Sequence, residues 1–456
     1  MASKATLNFD LLGETVQAAM ERLQVPGVAV GLLHQGETYT AGFGVANINH
    51  PLPVDAETLF QIGSTTKTVT ATAAMRLVEQ GKLDLNAPIR TYLPDFRLAD
   101  EETAARATLR HVFTHTGGWL GDYFDDLGRG ADALAKIVAD MATFPQLAPL
   151  GEIWSYNNAG YYLAGRVIEV VAGQTYEEAA KELVLEPLGM TRSFFFAEEA
   201  ITHRVAVGHI AQADKIEVAE PWALARASSP VGGIISNVHD QLRYARFHLG
   251  DGATAAGTRL LTPETMAFMQ TPLASAGSLA DAVGVSWLLK DVAGTRLVMH
   301  GGATHGQMSA FVMVPERDFA ITVLTNANRG RELHGEITAW ALERYLGLVE
   351  PPPTWLKLSP QKLTEYAGFY SAALTDASLS LEGDDLILQS IPKGGFPKKD
   401  SKPGPPPPPV RLAFQAKDRV TALDSPFTNQ RGEFLRAENG RLAWFRFGGR
   451  IHARQK

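Results

Sequence analysis

Ser64-Thr65-Thr66-Lys67 puts a hydroxyl and an amine one helical turn apart on one face. The serine follows Gly63 at the start of a helical pattern, where free N–H groups and the helix dipole favour developing negative charge. A buried lysine can shed its proton near neutral pH and activate the serine. Ser359 to Lys362 and Ser390 to Lys393 share the spacing. Both contain proline and begin no helical pattern, so context singles out Ser64. Tyr156-Asn157-Asn158 is a second constellation: a phenol can pass protons, and an amide can hold a substrate amide and the lysine. As a bland alternative, it is a loop tyrosine with two turn-forming asparagines. His300-Gly301-Gly302-Ala303 is the third. Its glycines admit close approach to the backbone, and the N–H of Ala303 can join that of Ser64 as an oxyanion donor. The alternative there is a strand-end turn with a satisfied histidine.

These residues need elements to hold them. A helix is expected over Leu11 to Leu23, then a hairpin of Val28 to Leu33 and Glu37 to Gly42 turning at Gln35-Gly36. Ser64 to Gln80 reads as a buried helix stopped by Gly81, and Leu109 to Leu188 as mostly helical, clearest over Ala159 to Val171. Short strands are expected at Val285 to Leu289, Thr295 to Met299, Met308 to Val314 and Phe319 to Thr325, then a helix from Glu332 to Leu346. The fold class is α/β (α+β): both ends of this region join one antiparallel sheet, beside a helical lobe.

Pro351-Pro352-Pro353 marks a boundary. The expected units are residues 1–350, holding the site, and 358–456, a small antiparallel barrel. Six barrel strands are read: Tyr366 to Tyr370, Leu379 to Glu382, Asp385 to Gln389, Arg411 to Gln415, Gly432 to Ala437 and Leu442 to Phe447. Lys398 to Pro409 is expected as a protruding or disordered loop.

The net charge of -7 gives no nucleic-acid footprint, and no apolar run approaches a membrane span. The absence of cysteine excludes disulfides, thiol nucleophiles and thiolate metal sites. Residues 1–6 show no leader, which points to a cytoplasmic location.

The order Ser-x-x-Lys, Tyr-x-Asn, then basic-x-Gly resembles the serine β-lactamase and penicillin-binding-protein family. Thr108 to Gly118, Pro230 to Ser236 and Val323 to Asn326 resemble other segments of it. The resemblance spans about Leu11 to Leu348. It implies that Ser64 forms an acyl-enzyme, Lys67 and Tyr156 pass protons, Asn158 orients, and Ser64 and Ala303 supply the oxyanion hole. It implies no metal or organic cofactor. Where the family usually has lysine this chain has His300, a weaker, pH-dependent cation. That favours the esterase and D-aminopeptidase branch, whose aminopeptidases carry lipocalin-like barrels, two where this chain has room for one.

Trp119, Tyr123 and Phe124 are candidates for an apolar subsite at the rim, with Gly232, Gly233 and His305 beside it. The expected substrates are small esters, amides or short peptides, with a penicillin-recognising carboxypeptidase or weak β-lactamase as the second reading. A non-catalytic scaffold or ligand-binding protein is the third. The oligomeric state stays open.

Overall fold

The computed structural model describes residues 9–212, 215–277 and 279–455. The segment read for a leader lies outside them. Helix α1 (Phe9–Leu23) leads into β1 (Gly27–His34) and β2 (Glu37–Gly44). Gln35 and Gly36 both have positive φ, which matches a tight hairpin turn to the twist of the strands.

β1 sits inside an eight-stranded antiparallel sheet. Next to it come Phe319–Thr325, Met308–Val314, Thr295–Ala303 and Leu288–Val292, with β2 at one edge and two two-residue strands at the other. Every residue of β1 is buried, because the sheet is covered on both faces. Val28, Val30 and Leu32 face α1 and the helix Gly330–Leu346, while Ala29 and Leu33 join the larger core of the helical lobe.

Helix α2 (Thr66–Glu79) runs through that larger core, buried from Thr66 to Met75. Its threonines find acceptors: Thr68 donates to the Thr65 carbonyl one turn back, and Thr70 to that of Pro230 on a neighbouring segment. Gly81, at φ +67°, takes the stop position. The expected helical stretch from 109 to 188 is more broken than its composition indicates. Helices form over Leu109–Phe113, Ala133–Asp140 and Ala159–Ala172, but coil spans 114–132 and 144–158 and carries the site loops.

The C-terminal region closes into an eight-stranded antiparallel barrel from Gly368–Ser371 to Arg450–Arg454, sealed by pairing of Tyr370 with Arg454. Two strands escaped the sequence reading, Arg419–Ala422 and Arg450–Arg454. Tyr366, Tyr370, Phe414, Phe434 and Phe445 pack ring against ring inside it. The loop over 398–409 does not protrude freely. Phe396 packs on Phe124 at 5.0 Å, Lys398 and Lys399 pair with Asp126 and Asp125, and Pro407 accepts a bond from Gln389.

His248, His300 and His334 are buried, and burial pushes each imidazole down to about 3. They fold neutral, whereas the unfolded chain protonates them below its ordinary value near 6.5. The unfolded state therefore binds more protons between pH 6.5 and 3, and stability falls as pH drops through that window. The loss is roughly 1.4 kcal/mol per histidine per pH unit. The urea midpoint is expected to fall steeply between pH 6.5 and 4.5, and His248→Gln to flatten the slope. A flat midpoint in the parent chain would contradict neutral burial.

Candidate active site

Ser64 lies in a single 3₁₀ turn, Gly63–Thr65, that feeds directly into α2. The turn is pinned to the sheet from below. Ser309 donates to the Ile62 carbonyl at 2.7 Å and meets the Thr65 hydroxyl at 2.9 Å. Gly63 has φ +50°, and a Cβ on it would stand 2.6 Å from the backbone nitrogen of Ala303. That spacing brings the strand carrying Ala303 against the residue preceding Ser64.

Lys67 is wholly buried, with Nζ 3.0 Å from Ser64 Oγ and 2.6 Å from the Val231 carbonyl oxygen. The rings of Tyr156 and Tyr161 lie 5.2 and 5.3 Å from the same nitrogen. Burial, then the charge of Arg450, drives this amine well below its ordinary value, against an opposing pull from Asp122. Tyr156 is shifted the other way: burial raises its phenol to about 12, offset in part by a hydrogen bond with Ser64. One group is thus poised to accept a proton and its neighbour to keep one.

The other expected residues divide. Asn158 is buried beside this cluster, but its amide donates to Asp122 at 2.6 Å. His300 is also in place, its ring 6.1 Å from that of Tyr156. It is not the pH-dependent cation the sequence indicates: its low value keeps it neutral at physiological pH. The Nδ1 atom pairs with the Gly301 carbonyl at 2.6 Å, and Nε2 is buried with no protein partner among the described residues. The strand also runs on through Gly301 and Gly302 to Ala303, instead of turning. Gly301 and Ala303 are exposed to solvent.

Gly232 stands behind the nucleophile, 3.4 Å from Gly63 by the position of an added Cβ, while Gly233 backs onto Ser229. The short helix Ser229–Gly232 also supplies the Val231 carbonyl. His305 sits half-buried beyond the strand end, packed against Gly208.

Trp119 and Tyr123 do not line a subsite. Trp119 is buried in the large core. Tyr123 donates to Asp140 at 3.0 Å and packs at a tilt against Phe144, 4.9 Å between ring centres. Phe124, the third aromatic, is covered by Phe396. Of the two decoy serines, Ser359 does start a helix, of four residues, Pro360–Leu363, far along the chain in the barrel region. Ser390 lies in the strand Asp385–Pro392.

Three residues were missed. His115 stacks on Tyr156 at 4.4 Å, and its Nδ1 accepts the Asn157 N–H at 3.0 Å. Asp122, buried, takes the Asn158 amide. Arg450 reaches in from the barrel, pairs with Asp122 at 3.0 Å and lies 4.6 Å over the Tyr156 ring. The barrel backbone also holds the site loop: Tyr156 N–H donates to the Gly449 carbonyl at 2.8 Å.

The Beta-lactamase family model matches residues 12–344. The chain belongs to the Beta-lactamase family. That places it among the β-lactamase and penicillin-binding-protein-like serine hydrolases, with the barrel as an addition beyond the matched region. Penicillin-binding protein 4 of Amycolatopsis lactamdurans is 33% identical over 355 residues, covering 75% of this chain and 93% of that one. Esterase EstB of Burkholderia gladioli is 36% identical over 198 residues, 40% of this chain and 50% of EstB. Among solved structures, SurE aligns over 98% of this chain and 99% of its own, with a TM-score of 0.77 and 26% identity. A structure of SurE with D-Leu aligns with a TM-score of 0.75 at 25% identity.

Among the described residues no group of three or more acidic, histidine or cysteine side chains could hold a metal ion. No described helix is long and apolar enough to cross a membrane.

Proposed function

We propose that this chain hydrolyses small esters or amides through an acyl-serine intermediate on Ser64. The observation that carries the reading is the buried Lys67 amine, 3.0 Å from Ser64 Oγ and depressed by burial. Its lone pair takes the hydroxyl proton as Ser64 Oγ attacks the substrate carbonyl carbon. The N–H groups of Ser64 and Ala303 face the oxygen that becomes anionic. Tyr156, still protonated, relays a proton to the departing oxygen or nitrogen. Water then attacks the acyl carbon with the same groups in reversed roles, releasing the acid and restoring Ser64.

The likeness to EstB supports ester turnover, and the SurE structure with D-Leu supports a D-configured residue at the reacting end of an amide or peptide. We read the chain as two units, 1–350 for chemistry and 358–456 for the barrel. The relationship to Penicillin-binding protein 4 favours one second reading, acylation by penicillins. The neutral His300 argues against it, since a carboxylate there would lack the cation usual at that position.

The test is release of chromophore from p-nitrophenyl butyrate and from a D-alanine p-nitroanilide, beside Ser64→Ala. Hydrolysis of either, lost in the variant, is the expected result, and the preferred substrate separates esterase from amidase. Stable acylation by benzylpenicillin, with neither chromogen turned over, would select the second reading. Turnover that survives in Ser64→Ala would refute the acyl-serine mechanism.

A further inference from the structure

We propose that Arg450, carried into the cleft by the last hairpin of the barrel, is a positioning residue for the reaction at Ser64. Paired with Asp122, it orients Asn158 and sets the charge felt by Lys67 and Tyr156. The inference rests on the acyl-serine reading and adds to it a contribution from outside the family-matched region.

The hairpin is built for the task. Gly448 and Gly449 both have positive φ, and they join Leu442–Phe447 to Arg450–Arg454 by a two-residue turn. A Cβ on Gly449 would stand 3.3 Å from the Trp154 ring, so the turn sits tightly on the segment leading to Tyr156. Bonds on either side fix its depth: Gly449 carbonyl accepts from Tyr156 N–H, and Ile451 N–H donates to Ser155 Oγ at 3.3 Å. The next residue along the strand therefore has a defined place, and that residue is Arg450.

Docking alone does not need this arginine. Arg446 donates to the Trp154 carbonyl at 2.7 Å, Trp444 to that of Leu147 at 3.1 Å, and Arg431 pairs with Asp281 and Glu350 at 3.0 Å. Those bonds tie the barrel down around the cleft. Arg450 differs in what its partner touches. Asp122 is 5% exposed and bridges two groups: the Arg450 guanidinium and the Asn158 amide. The Arg450 side chain as a whole is 34% exposed, while its charged end is held at the Asp122 carboxylate.

The groups around Lys67 come from every neighbouring element. They are Ser64 on its own turn, Tyr156 and Tyr161 at the helix Ala159–Ala172, His115 and Asp122 from the loop before it, and His300 from the sheet. The two histidines are held neutral and the tyrosines protonated. Asp122 and Arg450 are therefore the charges nearest the lysine, and they push its amine in opposite directions. Arg331, on the helix Gly330–Leu346, is the other cation whose field meets that of Arg450.

The test reads Ser64 directly. The second-order rate of labelling by an alkyl fluorophosphonate is followed from pH 5 to 10 in the full chain and in Arg450→Met, Arg450→Lys, Asp122→Asn and the double variant, with melting curves for each. Loss of the arginine should move the midpoint of the acid limb up by about one pH unit, slowing labelling about tenfold on the acid side. Loss of the aspartate should move it down, with the double variant between them and Arg450→Lys near the parent. If Arg450→Met melts below the assay temperature, the direction of the Asp122→Asn shift decides. Rates that fall without a shift in midpoint, or two single variants that shift the same way, would overturn the proposal. No labelling of the parent chain at any pH would overturn the acyl-serine reading, and this one with it.

Discussion

Replacing Lys67 by methionine is expected to lower kcat/KM on a chromogenic ester by roughly 10²–10⁴-fold while the chain stays folded. Methionine fills nearly the same volume but offers no lone pair to Ser64. The melting curve checks the second half of the expectation. The variant leaves the Val231 carbonyl without its donor, which costs about 1–3 kcal/mol. Against this, burial disfavours the charged form of Lys67 in the folded chain. A lysine with a lowered folded value makes the unfolded chain the better proton binder up to about pH 10, so its penalty shrinks as pH rises. The parent should therefore gain stability relative to Lys67→Met between pH 7 and 9.5. An equal gap at both pH values would mean that Lys67 folds charged, and a general base would have to be sought elsewhere.

Gly302→Val is expected to be as damaging by another route. A Cβ at this position would strike the Ile62 carbonyl oxygen and crowd Ser309 Oγ. Those are the two groups that pin the Ser64 turn to the sheet. The backbone has nowhere to yield, because Gly302 is also in register with Ser309 across the ladder. Overpacking of this kind costs about 1–3 kcal/mol. The larger effect is on geometry: a shift near 1 Å between Ser64 and Ala303 can cost about 10²-fold in acylation. Burst amplitude and rate on a p-nitrophenyl ester, read beside the melting temperature, separate the two effects. A variant with normal burst rate would show that the strand can move without disturbing the nucleophile.

What the sequence makes legible is local. Ser64 and Lys67 share a turn, Tyr156 and Asn158 share a loop, and each group is readable because neighbours in sequence are neighbours in space. The helix over Ala159–Ala172 and the β1–β2 hairpin are readable for the same reason. The Gly301-Gly302 pair misled because glycines usually end strands. Here they continue one, since only glycine lets the strand pass the Ile62 carbonyl. Trp119 and Tyr123 carry the chemistry of a binding rim, but which way a ring turns is decided by the core it meets. His115 lies well before Tyr156 in the chain, and only the fold stacks the two rings. Asp122 and Arg450 could not be paired from sequence at all, as 328 residues separate them along the chain. The signal available was Gly448-Gly449 directly after the largely apolar run Leu442 to Phe447, a tight hairpin whose first residue afterwards is an arginine.

The central place of β1 has a consequence for biosynthesis. Its strand neighbour on one side, Phe319–Thr325, lies about 300 residues downstream. At ~5–20 residues per second, a ribosome needs roughly 15–60 s to deliver it. Throughout that interval the strand Gly27–His34, apolar up to its last residue, has only β2 beside it and an open edge on the other side. Such an edge invites pairing with other chains. Newly made chains should therefore depend on chaperones that shield extended apolar segments, and crowded expression should drive them into aggregates seeded by β1.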